Sequence, residues 1–76
     1  MWAKYADGEW GFSEKTEDGT AIVADMERTG GPGTMWRGSL KRNGDVVFYS
    51  KGDFRYLRGA INSRITRLRR GEKTVC

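Results

Sequence analysis

Phe54, Leu57, Ile61, Ile65 and Leu68 recur at three- and four-residue intervals between Asp53 and Arg70, the spacing that aligns side chains along one side of an α-helix. This predicts a helix over about 53–70 with a single buried stripe. Asp53 is its natural N-cap, because its carboxylate can accept from the free amides of the first turn. Gly71, directly after Arg70, fits the C-terminal stop, and the arginines of the last turn complement the negative end of the helix dipole. Gly59 is discordant, costing about 1 kcal/mol against Ala in a helix interior; it marks either a close approach to the sheet or an irregular helix.

Upstream of the helix the pattern changes. Asp7-Gly8, Asp18-Gly19, the cluster Gly30-Gly31-Pro32-Gly33 and Asn43-Gly44 punctuate the first fifty residues at short intervals, and Asp-Gly and Asn-Gly supply the positive-φ positions that tight hairpins require. Segments 2–5, 9–14, 20–28, 35–42 and 45–50 therefore read as antiparallel strands. The Gly30-Gly31-Pro32-Gly33 connection reads as the longest and most mobile loop. Ile22, Ala24 and Met26 alternate with Val23, Asp25 and Glu27, which assigns the first set to the core, and Trp10 and Phe12 share one face. In the Asn43-Gly44 hairpin, pairing Arg42 with Asp45 sets Leu40 opposite Val47 and Gly38 opposite Tyr49, on the same side as Trp36. The reverse face then carries Arg37, Ser39, Lys41, Val46 and Phe48.

The whole is expected to be a single α+β domain over 1–76: an antiparallel meander of four to five short strands, one C-terminal helix packed on a face, and a short tail over 71–76. At 76 residues it stands near the lower size at which one hydrophobic core holds without staples. Three Trp, three Tyr and three Phe supply enough aromatic mass for such a core.

Charge adds a second pattern. Residues 1–34 hold three basic and seven acidic side chains, a net −4, whereas 35–76 hold eleven basic and three acidic ones, a net +8. Charge so polarised steers partners of opposite sign over about a Debye length. The one cysteine, Cys76, is terminal, and histidine is absent, so an internal disulfide, a cysteine-based zinc site and a cofactor-dependent metal chemistry are not expected. The Cys76 thiol has no activating base beside it and reads as part of a free tail. No apolar run approaches the roughly 20 residues of a membrane span or a signal segment. The chain therefore reads as cytoplasmic, with no membrane partner. Its carboxylates sit mostly beside turns, without the paired arrangement that acid–base catalysis needs, and the glycine cluster lacks the G-K-[ST] of a phosphate loop. No enzyme is expected.

The candidate surface is cationic. At 100° per residue, Arg55, Arg58, Asn62, Thr66 and Arg69 fall on the helix face opposite the apolar stripe, with Arg70 at its end. Guanidinium groups fork onto phosphate oxygens, and neutral hydrogen bonders between them match a helix docked on a nucleic-acid backbone. An equally weighted reading pairs these arginines with the acids of the N-terminal half. Arg64 and Arg67 flank the stripe and read as stems packed over the core edge. A second basic surface is the reverse hairpin face, where Phe48 lies among Arg37, Ser39 and Lys41. Such a face stacks single-stranded nucleic acid when open; when closed, the first hairpin covers Phe48 and Val46 in a two-layer β structure.

The run N-G-D-V-V-F-Y-S over 43–50, followed by a helix containing Ala60, Ile61 and Ser63, resembles the small YegP-type bacterial domain across about 35–71. The resemblance implies a strand–strand–helix unit and no activity; the tandem repeat of that family and a counterpart of the acidic N-terminal half are missing. Two functions stay in view. The first is a small basic non-catalytic protein contacting DNA or RNA phosphates without sequence preference and with strong salt dependence, through Arg55, Arg58, Arg69 and Arg70, assisted by Arg37 and Lys41. The second is a phage-type protein that binds and inhibits a host nucleic-acid enzyme or defence complex, acting in the host cytoplasm. A homodimer that matches acidic to basic faces is a third arrangement.

Overall fold

The computed structural model describes residues 2–30 and 35–75. Five strands, β1 (Ala3–Ala6), β2 (Glu9–Lys15), β3 (Ala21–Arg28), β4 (Trp36–Arg42) and β5 (Asp45–Gly52), precede one helix, α1 (Phe54–Arg69). The strands form a single antiparallel sheet in the order β1-β2-β3-β4-β5, so each pairs with its neighbour in sequence. The helix packs against β3, β4 and β5 on one face. This is the expected α+β meander with its C-terminal helix.

Positive-φ residues stand at Gly8, Gly19, Asn43 and Gly44, the turns that the Asp-Gly and Asn-Gly pairs announce. The Asn43 turn is tied into the sheet as well: its side-chain Oδ1 accepts from the Ala21 amide at 2.9 Å, and its own amide donates to the Ala21 carbonyl at 2.8 Å. Of the glycine cluster, Gly31, Pro32 and Gly33 lie outside the described residues, as does Cys76.

Leu57, Ile61, Ile65 and Leu68 of the helix bury against Phe12, Ile22, Ala24, Met26, Trp36 and Leu40 of the sheet. Asp53 caps the helix by accepting from the Tyr56 amide at 2.8 Å. At the other end Gly71 takes φ +93°, its amide donates to the Leu68 carbonyl, and the Glu72 amide to that of Arg67, the paired bonds of a Schellman stop. Val75 then turns back and is fully buried in the core, so the predicted tail is part of the fold as far as that residue.

The close approach of helix to sheet falls at Gly38, where a Cβ would lie 2.9 Å from both the Asp25 carbonyl and Ile61 Cδ1. Gly59 is exposed, with no atom near the place of its missing Cβ, and the helix runs through it without a break. Neither reading of Gly59 therefore holds.

The β4–β5 register also departs from expectation. Arg42 pairs with Asp45, but the register shifts after Lys41↔Val46, so that Leu40 meets Phe48, Ser39 meets Tyr49 and Gly38 meets Ser50. Val47 is the extra residue of a bulge, and one extra residue inverts every side chain beyond it. Phe48 accordingly faces the helix and Tyr49 the reverse side. The bulge lets Val47 and Phe48 both pack against the core, which simple alternation forbids. Among the described residues no second β layer forms: Val46 stays 59% exposed, and Phe48 is covered by the helix.

Candidate nucleic-acid interface

The predicted cationic face of α1 leans to one side. At 100° per residue, Arg55, Arg58, Asn62, Thr66 and Arg69 centre roughly a quarter turn from the buried midline, which turns part of the set toward β2. Over β2 the helix meets an aromatic shelf: Phe54 packs between Trp10 at 5.5 Å and Trp36 at 4.9 Å between ring centroids, and Trp2 lies 5.8 Å from Phe12.

Three of the predicted residues are engaged with that shelf. Arg58 lies with its guanidinium 5.6 Å from the Phe54 ring centre. Asn62 accepts from the Trp2 indole N–H at 2.7 Å, a bond between residues sixty apart in sequence. Arg69 grips Glu14 in a fork, Nε to Oε2 at 2.9 Å and an Nη to Oε1 at 2.6 Å, with its guanidinium 5.8 Å from the Phe12 ring centre. The Arg69 fork holds the Glu14 carboxyl below its ordinary pKa and raises that of Arg69.

The others differ. Thr66 donates its hydroxyl to the Asn62 carbonyl one turn back at 3.2 Å. Arg70 is exposed and reaches Glu72 only at 3.6 Å, while Arg67 holds the same carboxylate at 3.0 Å. Arg55 and Arg58 have no acidic partner among the described residues. Arg64 lies against Phe48, its guanidinium 3.9 Å from the ring centre, and donates to the Ala60 carbonyl at 2.9 Å. Its packed stem is the one the helix pattern indicates.

Arg37 and Lys41 lie on the far side of the sheet from α1. They alternate with Trp36, Gly38 and Leu40, which face the helix, so the eight predicted residues divide between two opposite surfaces. Arg37 is paired there with Glu27 at 3.0 Å. Of the predicted arginines, Arg37 and Arg69 reach acids of the N-terminal half, and Arg55 and Arg58 do not among the described residues.

On that far face the exposed aromatics are Tyr5 and Tyr49, in place of Phe48. The run Val46, Val47, Phe48, Tyr49 has no alternation to show which of its members turns outward. Tyr5 lies over Gly11, where a Cβ would come within 2.1 Å of its ring. Beside it runs an open groove of about 290 Å³ lined in part by Glu9, Val23, Asp25 and Glu27. Among the described residues no helix is long and apolar enough to cross a membrane. Comparison with protein-family models, curated proteins and solved structures gives no match to this chain.

Proposed function

We propose that this is a small non-catalytic protein that contacts nucleic-acid phosphates through the outer side of α1, with Arg55, Arg58 and Arg70 as the contacting cations. One observation carries the reading. Arg55 and Arg58 stand one turn apart at the exposed start of the helix with no acidic partner among the described residues, so neither breaks an ion pair to reach a phosphate. The exposed Arg70–Glu72 contact is worth little and yields easily. Gly59, Ser63 and Thr66 lie between these arginines, keeping the ridge low along about 22 Å of helix. The first turn carries no acidic residue beyond its cap, and the positive end of the helix dipole adds to the field there.

Titration into labelled single- and double-stranded DNA and RNA, read by fluorescence anisotropy at about 50 and 200 mM salt, tests this. Three phosphate contacts on a duplex give a log–log salt slope of about −2.7, so affinity falls about 40-fold over that range. Arg55→Ala/Arg58→Ala should flatten the slope by about 1.8. Absence of binding at 50 mM, or a double variant that binds like the parent, would count against the proposal. The second reading, a protein that docks on and blocks a host nucleic-acid machine, draws support from the apolar and charged residues exposed together on the sheet face away from the helix.

A further inference from the structure

The sheet face away from α1 is a surface of its own, carrying Tyr5, Val23, Val46 and Tyr49 at 71%, 40%, 59% and 54% exposure. Four large apolar side chains on one face of a small domain are the mark of a contact surface. The cross-strand register orders this face into three rows. One is Glu9–Glu27–Arg37–Lys51, the next Gly11–Asp25–Ser39–Tyr49, the third Ser13–Val23–Lys41–Val46.

The first row reads acid, acid, base, base across four strands. Within one chain its inner members, Glu27 and Arg37, bond each other at 3.0 Å. Its outer members, Glu9 and Lys51, have no ionic partner among the described residues. They are three strands apart in the sheet, too far to meet each other. A two-fold axis parallel to the strands and passing between β3 and β4 exchanges the two halves of every row. It sets Glu27 of one copy over Arg37 of the other, and Glu9 over Lys51. In the second row it brings Tyr49 to Gly11, where the Tyr5 ring and the adjoining groove lie, and Asp25 to Ser39. The same operation opposes unlike charges in the first row and brings Tyr49 to the groove in the second, while the third sets Val23 over Lys41 and Ser13 over Val46; the first two rows carry the self-complementarity that an isologous interface requires.

From this complementarity we infer that the open sheet face binds a second copy of the chain, giving a face-to-face two-fold dimer. Sheets packed face to face lie about 10 Å apart with strands within about 30° of parallel, which keeps the rows opposed near the axis. The axis opposes β3 with β4 and β2 with β5 and leaves β1 outside, and four strands about 4.8 Å apart and about seven residues long present roughly 450 Å² per copy. The pair therefore buries on the order of 900 Å², in the range of weak, transient interfaces, and dissociation in the micromolar range or weaker is expected. The two helices point outward in opposite directions, so this surface is independent of the arginine side of α1.

Sedimentation equilibrium of the full chain from about 10 to 500 μM measures the association directly, with circular dichroism as the check on folding. Glu9→Lys/Glu27→Lys makes the first row basic throughout and Arg37→Glu/Lys51→Glu makes it acidic throughout. Each alone should be monomeric, and an equimolar mixture should form a 1:1 heterodimer. The Arg55→Ala/Arg58→Ala variant should associate like the parent. In the unaltered protein, NMR shifts that change with concentration should gather at Val23, Lys51 and Tyr49 and spare Arg55. A monomer at 500 μM, a variant of either kind that still self-associates, a folded mixture that stays monomeric, or shifts confined to the helix would each overturn the inference.

Discussion

Gly38 and Gly59 show at the scale of one residue how the same amino acid serves opposite ends. Gly38 lies where helix and sheet nearly touch, so Gly38→Ala forces Ile61 and the Asp25 carbonyl apart and should cost about 1–3 kcal/mol, read by urea denaturation. Gly59 has open space where a side chain would go, and Gly59→Ala should raise stability by about 0.5–1 kcal/mol through helix propensity. Glu14 offers a pH-dependent counterpart. Arg69 lowers its pKa below the ordinary 4.5, so the stabilisation from this pair is complete above that value and is lost as the pH falls through the folded-state pKa. Asp18, which accepts from the Thr16 hydroxyl and the Thr20 amide, is lowered for the same kind of reason. Glu14→Gln should melt below the parent at pH 7, and thermal scans at decreasing pH should show that gap closing below about 4.5.

The helix is the element in which packing and candidate function meet. Its β5 flank carries Arg64, whose stem and guanidinium cover Phe48 while its Nε is buried with no hydrogen-bond partner among the described residues. A buried donor left without a partner costs free energy, and a thioether of similar length keeps the packing. Arg64→Met should therefore equal or exceed the parent in stability, whereas Arg64→Ala, which uncovers Phe48, should fall below both in chemical denaturation. On the outer side Arg55, Ser63, Thr66 and Arg70 take little part in the core. The stripe of buried residues was legible in the sequence because its period is local. The quarter-turn offset of the arginine set follows from the same period, but the partners it meets were not legible, since Trp2 and Glu14 arrive from the other end of the chain.

Across the whole molecule the polarised charge acquires a geometry. The acidic strands β2 and β3 lie beside the basic strand β4, and the boundary is bridged by Arg37–Glu27 and by Ser39 donating to Asp25 at 3.4 Å. The proposed phosphate contacts stand on one side of the molecule and the proposed dimer face on the other, with the sheet between them. Because Arg55 and Arg58 are exposed and outside the ion-pair network, the Arg55→Ala/Arg58→Ala variant should keep the parental melting temperature to within a few degrees in calorimetry. A large loss would make these arginines structural.

The residue pattern by itself determined the elements and their order. The 3.6-residue period marked α1, the Asp-Gly and Asn-Gly pairs marked three reversals, and Asp53 and Gly71 marked the ends of the helix. All of these signals act within a few residues of one another. Tertiary structure alone decided three other things. It placed the bulge at Val47 that turns Tyr49 outward, because Val46 to Tyr49 is apolar throughout and only packing under the helix chooses among registers. It moved the close approach from Gly59 to Gly38, because contact between layers depends on where two elements cross. It decided which of the predicted cations are ion-paired, Arg37 with Glu27 and Arg69 with Glu14, because those acids reach them from other strands of the sheet.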